Sequence, residues 1–165
     1  MNKVRLVVIV MLCVVLFGSK ASGRNRGSEF SELKGLNSMS VDITLDDMGL
    51  SASQVYPSVV SKLRKAGIKV LDVDNADTSL EITAYKIMGK KKMCSLAIYV
   101  RLKTPVKIVR NNAMLKGEVW QGRFVGTYEC GDVSDEADYD IGMIVDGFVD
   151  DYKLVNKVVK KKKVK

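Results

Sequence analysis

Histidine is absent from all 165 residues of the chain, and this absence removes several classes of chemistry. It excludes the Ser-His-Asp triad, the Cys-His nucleophile pair and every metal site within this chain that uses imidazole ligands. It also removes the side chain that most often transfers protons near neutral pH. An enzyme that works with carboxylates needs two acids that face one cleft in different environments, and the sequence indicates no such pair. We therefore expect no catalytic residues and favour a non-enzymatic protein, leaving a carboxylate enzyme as an alternative.

The known loops that hold metals and cofactors are missing as well. The run that begins at Asp72 resembles the start of a calcium loop, but its sixth position is Asp77 instead of glycine and its twelfth is Thr83 instead of glutamate. A phosphate-binding glycine loop joins a strand directly to a helix, and the glycines near the last predicted strand do not. The sequence therefore predicts no metal site and no cofactor.

The N-terminal 21 residues have the pattern of a secretory signal peptide. Two basic residues within residues 1–5 precede an apolar run over residues 6–18, and small residues at Ser19 and Ala21 follow it. The run is shorter than the ~20 residues that a membrane-spanning helix needs. We expect cleavage after Ala21, no transmembrane span in the mature chain, and a periplasmic or secreted protein. An uncleaved N-terminal membrane anchor is the alternative. Residues 22–37 are small and polar, which predicts a flexible lead-in.

Positive charge is concentrated at the two ends of the chain. The net charge is +8, yet three of the 27 basic residues lie in residues 1–21 and seven lie in residues 153–165, which leaves 17 basic and 19 acidic residues between. We predict a lysine-rich tail over residues 157–165 that contacts an anionic surface, or else a disordered solubilising end. Nucleic acid is not an expected partner of an exported chain. The candidate contact residues are Lys160, Lys161, Lys162, Lys163 and Lys165.

Hydrophobic periodicity between the two ends predicts an α+β domain over residues 38–156. Alternation begins at Met39 and indicates the first strand, and apolar residues with helical spacing follow it up to Gly67, where a left-handed residue would end the helix. Four further strands and a long C-terminal helix complete the order β-α-β-β-β-β-α. We expect a mixed, largely antiparallel sheet of about five strands with both helices on one face, and with the first two strands parallel.

Two of the three cysteines are placed for a disulfide. Cys94 begins one predicted strand and Cys130 ends the next, and a symmetric hairpin that pairs them turns at Asn112. In this register Leu96 faces Tyr128, which matches apolar with apolar across the strands. Disulfides persist in exported proteins, so we expect a structural bond, with two buried free thiols as the alternative.

Proline marks one position in the fourth predicted strand. Pro105 cannot donate a backbone hydrogen bond to a neighbouring strand, so it favours an edge position or a bulge. We expect an edge strand there, where a docking partner could bind.

Four segments together resemble a family of short exported bacterial proteins of unknown function. They are GLSASQVYPSVVSKLRKAGIKVL, AIYVRLKTPVKIVRN, EVWQGRFVG and DIGMIVDGFVDDYKLVN, and the resemblance covers most of residues 46–156. Its most specific parts are residues 62–71 and the Trp120 strand followed by Phe148, Asp151, Tyr152 and Asn156. The resemblance implies a periplasmic or secreted domain and carries over no catalytic residues. The cysteine pair and the lysine tail depart from the family pattern.

The leading interpretation is a non-enzymatic envelope protein, which acts as a small binding or assembly module. Its partner would be an envelope protein or an anionic surface. The alternatives are a periplasmic enzyme that uses carboxylates and an adaptor that attaches to anionic surfaces through the lysine tail. The ligand and the oligomeric state do not follow from the sequence.

Overall fold

A mixed five-stranded sheet with two helices forms the domain in the computed structural model, which describes residues 31–162 and side chains as far as Lys157. The sheet order is β2-β1-β3-β4-β5, with β1 parallel to β2 and β3 and the remaining pairs antiparallel. The predicted fold class, element order and parallel first pair are confirmed. The elements are β1 (Ser38–Asp46), α1 (Ala52–Lys65), β2 (Lys69–Val70), β3 (Ser79–Met88), β4 (Met93–Lys107), β5 (Met114–Glu129) and α2 (Val133–Lys162).

The core lies between one face of the sheet and the two helices. Period-two alternation buries every second side chain of β4, and helical spacing buries one stripe on each helix. Because both helices cover the same face, the opposite face of β3, β4 and β5 has no second layer among the described residues. The largest fully buried side chains are Phe148, Leu33, Met39, Leu63, Ile68, Leu80, Ile82, Leu96, Ile98, Leu102, Ile141 and Val55.

Helix α1 begins and ends through local interactions that the sequence indicates. The Gln54 side chain accepts a hydrogen bond from the Ser51 backbone N–H at 2.8 Å, which satisfies one donor at the helix start. Pro57 lies inside the helix, later than the first turn where proline fits best. Gly67 has φ +90°, a conformation that favours glycine, and it ends the helix. Lys62 then joins α1 to α2 through an ion pair with Asp146, at 2.6 Å.

The β4–β5 hairpin has a different register from the predicted one. Cys94 is opposite Tyr128 and Leu96 is opposite Gly126, so each partner lies two residues earlier in β5 than expected. The inward and outward faces are unchanged, because a two-residue slip preserves the alternation of side chains. The prediction of partners was therefore wrong, whereas the assignment of faces was right.

Pro105 occupies a local edge position next to a bulge, as expected, although β4 as a whole is not an edge strand of the sheet. The strand runs through it to Lys107, and β5 pairs with it throughout. A register shift lies at Leu102/Lys103, just before the proline, and pairing of β4 with β3 stops at Lys103. Beyond this point β4 and β5 form a two-stranded extension over residues 104–117, which we call the arm.

The chain enters the domain beside the C-terminal half of α2. Residues Ser31–Leu33 form a 3-10 turn, and Leu33 is fully buried, upstream of the predicted domain start at residue 38. The proposed signal peptide, residues 1–21, lies outside the described residues, and so does the lead-in up to residue 30. Among residues 31–162, no helix combines the length and apolarity needed to cross a membrane.

Candidate binding surface

Cys94 and Cys130 are joined by a disulfide, with their Cα atoms 4.9 Å apart. Because Cys94 is opposite Tyr128, the bond connects diagonal neighbours and not a directly opposed pair. Cys130 follows the last residue of β5, and its backbone N–H donates to the Lys92 carbonyl at 2.8 Å. The disulfide therefore fastens the exit of β5, where the chain turns into α2, to the start of β4.

A buried carboxylate on α2 has a single described partner on the sheet. The Tyr128 hydroxyl donates to Asp140 Oδ2 at 2.8 Å, and Asp140 is 2% exposed. Partial burial raises the pKa of Tyr128 to about 12, and the hydrogen bond to Asp140 and the charges of Asp140 and Glu136 add to this effect. The sequence analysis missed this pair. In the sequence, Asp140 looks like the other acids at the solvent-exposed start of α2. It lies, however, one position before Ile141, which belongs to the buried apolar stripe of that helix.

Trp120 is a packing residue that also anchors α2. Its ring meets Phe148 edge-on with centroids 5.0 Å apart, and its indole N–H donates to Asp151 Oδ2 at 3.1 Å. Tyr152 is largely buried one residue later. The residues that carry the family resemblance in these two elements therefore join α2 to β5.

Asn156 ties the incoming chain to α2. Its side-chain amide donates to the Leu33 carbonyl at 3.1 Å, and its Oδ1 accepts from the Gly35 N–H at 3.1 Å. Both groups belong to a segment with little regular structure, so they need such partners. The last specific residue of the family resemblance thus acts as a clasp for the start of the domain.

The described residues form no metal-binding cluster, and two acids line one shallow cleft. Within residues 31–162, no three His, Cys, Asp or Glu side chains are grouped so that they could hold a metal ion. Asp74 lies in a 3-10 turn over Val73–Asn75 and is exposed. A polar cleft of about 400 Å³ lies between the incoming chain, which contributes Glu32, and the start of β3, where Asp77 and Thr78 line it together with Thr104.

An apolar patch lies on the face of the sheet that neither helix covers. Tyr85, Ala97 and Val125 are direct neighbours across three strands, and Ile87 lies two residues further along β3. Val125 is 69% exposed and Ile87 61%. We call these four residues the open-face patch. Large apolar side chains grouped on a solvent-exposed sheet face are a feature of interaction sites.

Charged residues border the open-face patch on one side. Glu81 accepts a close ion pair from Lys103 at 2.7 Å and a longer one from Arg101 at 4.0 Å. Arg101 also donates to the Thr83 hydroxyl at 3.3 Å. Val125 belongs to β5, which is the last strand in the sheet order and has 16 residues. The patch therefore continues to a long free edge, where backbone N–H and C=O groups can pair with another chain.

The predicted lysine contacts lie largely outside the described side chains. Helix α2 continues to Lys162, so the backbone of Lys160, Lys161 and Lys162 is helical. Lys163 and Lys165 lie beyond the described residues. Their contact with an anionic surface stays a prediction.

No protein-family model matches the chain, and no curated protein matches it in sequence. The resemblance to exported proteins of unknown function therefore stays a prediction at the level of the family.

Several solved structures are distantly similar. A PelC variant dodecamer from Paraburkholderia phytofirmans is 17% identical, with 68% of this chain and 86% of that chain covered and a TM-score of 0.40. A minor lipoprotein from Acinetobacter baumannii is 11% identical, with coverage of 73% and 93% and a TM-score of 0.37. Rare lipoprotein B from Shewanella oneidensis is 10% identical, with coverage of 74% and 96% and a TM-score of 0.33. Similarity at this level is too distant to transfer a role, so the function has to be argued from this chain's own surfaces.

Proposed function

We propose that the chain is an exported envelope protein that acts as a small binding or assembly module through the uncovered face and free edge of its sheet. The observation that carries this proposal is the open-face patch together with the adjoining edge of β5. A protein that acts alone would gain stability by covering Tyr85, Ile87 and Val125, and two of these side chains are more than half exposed.

Two further features support an exported location. The pattern of residues 1–21 predicts a signal peptide, and the Cys94–Cys130 disulfide suits an oxidising compartment. The alternative of a carboxylate enzyme finds its candidate acids in Glu32 and Asp77, which line one shallow polar cleft. Asp140 is engaged with Tyr128 and Asp151 with Trp120, and both pairs join helix to sheet instead of lining a cleft.

Site-specific cross-linking in intact cells tests the binding surface. A photoreactive residue at Val125 should give one discrete adduct with an envelope component, and the added change Tyr85→Ser should abolish it. Ser61 is exposed on α1 on the other side of the domain and is the matched control position. Equal adduct yields at the two positions, or no adduct at Val125, would contradict the proposal.

Intact mass measured from the envelope fraction tests the location. We expect a mass that corresponds to residues 22–165, with both remaining thiols protected from alkylation unless the protein is reduced first. A chain that keeps residues 1–21 with alkylated thiols would point instead to a reducing compartment. A chain that keeps these residues with protected thiols would establish the uncleaved anchor.

A further inference from the structure

The arm projects past the rest of the sheet. The last pair between β3 and β4 joins Ser79 to Lys103, and β4 continues to Lys107 with β5 as its strand partner. At the base of this extension the hydroxyl groups of Thr104 and Thr78 are hydrogen-bonded at 3.0 Å. Four further residues at the rise of a strand extend about 13 Å. The tip closes tightly, because the Ile108 N–H donates to the Ala113 carbonyl at 2.8 Å. The arm is therefore a hydrogen-bonded hairpin.

The two faces of the arm differ in character. Directly paired residues share a face, and Val106 is paired with Leu115, which gives an apolar face toward the helix side. The other face carries the pair of Lys107 with Met114 and the pair of Pro105 with Lys116. The arm is thus an amphipathic ribbon.

Residues 104–117 contain three basic residues, Lys107, Arg110 and Lys116, and no acid. The tip adds Arg110 to the lysines of the ribbon. Beside it, Val109 is 92% exposed and Met114 61% exposed. Cations that alternate with bare apolar side chains fit a surface that is anionic outside and apolar just beneath, which is the interface of a bilayer.

Three parts of the chain that could meet a membrane lie at the same end of the domain. The contacts of α2 advance from Asp140 at Tyr128 to Asp151 at Trp120, so the helix runs toward the arm end of β5. From Asp151 it continues eleven residues to Lys162. The incoming chain is clasped at Asn156, on the same part of the helix. The arm, the C-terminal end of α2 and the chain entry therefore share one end, which we call the arm pole.

Acids are also present at this end, at the base of the arm. Asp77 and Glu32 line the cleft that also contains Thr104, the first residue of the arm, whereas Asp72 and Asp74 lie at the turn that follows β2. Asp151 is occupied by the Trp120 indole, and Asp150 is exposed on α2. Glu118 is paired opposite Lys103 at the base of the arm. The arm from residue 104 to its tip and back to 117 remains wholly basic in its charged residues.

We propose that the arm pole docks on an anionic lipid bilayer, with Val109 at the tip inserted into the interface and Lys107, Arg110 and Lys116 of the arm against the headgroups. This inference rests on the proposed envelope location and adds the surface against which the domain sits. The exposed apolar tip favours a bilayer over a purely ionic polymer, because a polymer without apolar groups would leave Val109 in water.

A polarity-sensitive fluorophore attached at Val109→Cys tests insertion. With the protein as the cell processes it and its disulfide intact, vesicles containing phosphatidylglycerol should shift the emission to the blue, and vesicles of phosphatidylcholine alone should not. The same fluorophore at Tyr139→Cys, which is 64% exposed near the start of α2 at the end of the domain away from the arm, is the control and should report no shift. An unchanged emission at position 109, or an equal shift at both positions, would overturn the proposal.

Charge reversal on the arm measures the electrostatic contribution to vesicle binding. Lys107→Glu combined with Arg110→Glu should raise the lipid concentration for half-maximal signal by about tenfold or more, since each cation near an anionic surface contributes up to ~1 kcal/mol. The matched pair Lys90→Glu and Lys91→Glu, with the same change in charge at the far end, should change it less than about twofold. Equal effects of the two pairs would overturn the docking of the arm.

A second copy of the chain is the competing occupant, and sedimentation velocity without lipid separates the two. If the arm variant converts an oligomer into a monomer while the vesicle response is unchanged, the arm is an interface between copies and the lipid proposal is wrong. Failure of the cross-link at Val125 would refute the open-face proposal but would leave the vesicle-binding result for the arm unaffected, because the two surfaces are probed at different positions and in different assays.

Discussion

Tyr128→Phe should lower the free energy of unfolding by about 2 kcal/mol, because it removes the described partner of a buried carboxylate. Asp140 is 2% exposed and accepts a hydrogen bond from the Tyr128 hydroxyl at 2.8 Å. A hydrogen bond to a charged group contributes roughly 1.5–3 kcal/mol, and an unpaired buried acceptor adds its desolvation cost. The phenylalanine keeps the ring that stacks with Phe124, so the change isolates the hydroxyl.

Denaturant unfolding at pH 8 under non-reducing conditions measures this loss. Tyr139→Phe is the matched control, since Tyr139 lies on the same helix as Asp140 but is 64% exposed. We expect the control to change stability by less than about 0.5 kcal/mol, as exposed substitutions usually do. For a domain of this size the loss at Tyr128 corresponds to roughly 4–8 °C in Tm.

The difference in the free energy of unfolding between wild type and Tyr128→Phe should also depend on pH. The folded pKa of Tyr128 is about 12, above the ordinary value of 10.0. The stabilisation is therefore fully present below pH 10 and is lost as the pH rises toward and through 12, because the unfolded tyrosine releases its proton first. A rise of the Tyr128 pKa from 10.0 to about 12 corresponds to about 2.7 kcal/mol of stabilisation of the folded state. Partial solvent exposure of Tyr128 reduces this contribution to roughly 1 kcal/mol.

Two results would refute this reasoning. One is a Tyr128→Phe variant as stable as the Tyr139→Phe control. The other is a difference in the free energy of unfolding between wild type and Tyr128→Phe that stays constant from pH 9 to pH 12. Asp140→Asn gives an independent check, because removing the charge should lower the pKa of Tyr128. Absorbance of tyrosinate, compared between that variant and the double variant with Tyr128→Phe, would show whether this pKa moves toward 10.

The remaining predictions concern the other links between elements. Replacing Cys94 and Cys130 together by alanine should cost roughly 4 kcal/mol in the chain-entropy model, measured by denaturant unfolding, and an unchanged midpoint would show that the bond is absent or irrelevant. Gly122→Ala should cost about 1–3 kcal/mol and lower the Tm, because a Cβ there would overlap an isoleucine methyl of α2 and lie 2.8 Å from the nearest tryptophan ring carbon; a variant at least as stable as wild type would contradict this packing. Asn156→Ala should cost about 1–2 kcal/mol and speed proteolysis near Leu33, and unaltered cleavage would refute the clasp.

Side-chain faces were predictable along the strands and helices because alternation and helical spacing are local properties. The β4 residues assigned to the inner face are all buried, and the stripe of α2 is buried from Ile141 through Val155. Helix ends followed from single residues, since Gly67 adopts the left-handed conformation expected of it. The cysteine pair was identified because both residues occur at the same end of two neighbouring strands.

The pairing partners in the hairpin could not be read from the same pattern. A slip of two residues leaves every apolar side chain on the face where alternation places it, so hydrophobicity does not distinguish the two registers. The tip turn and the bulge between Leu102 and Lys103 decide it instead. The expectation of an edge position or bulge at Pro105 holds only locally, because β3 pairs with β4 up to Lys103 and its pairing ends before the proline.

The candidate surfaces depend still more on tertiary packing. Asp140 belongs to a run of acids that looks uniformly solvated, yet one turn of α2 brings it under Tyr128. The basic residues of the arm lie far in sequence from the C-terminal end of α2, and the direction of α2 along β5 brings the two to one end of the domain. The sequence by itself determined which side chains are apolar, which face each takes and where charge accumulates, because these follow from composition and local geometry. Only the tertiary structure decided the register, the uncovered sheet face and the common end of the arm, the α2 terminus and the chain entry, because each depends on how elements distant in sequence pack together.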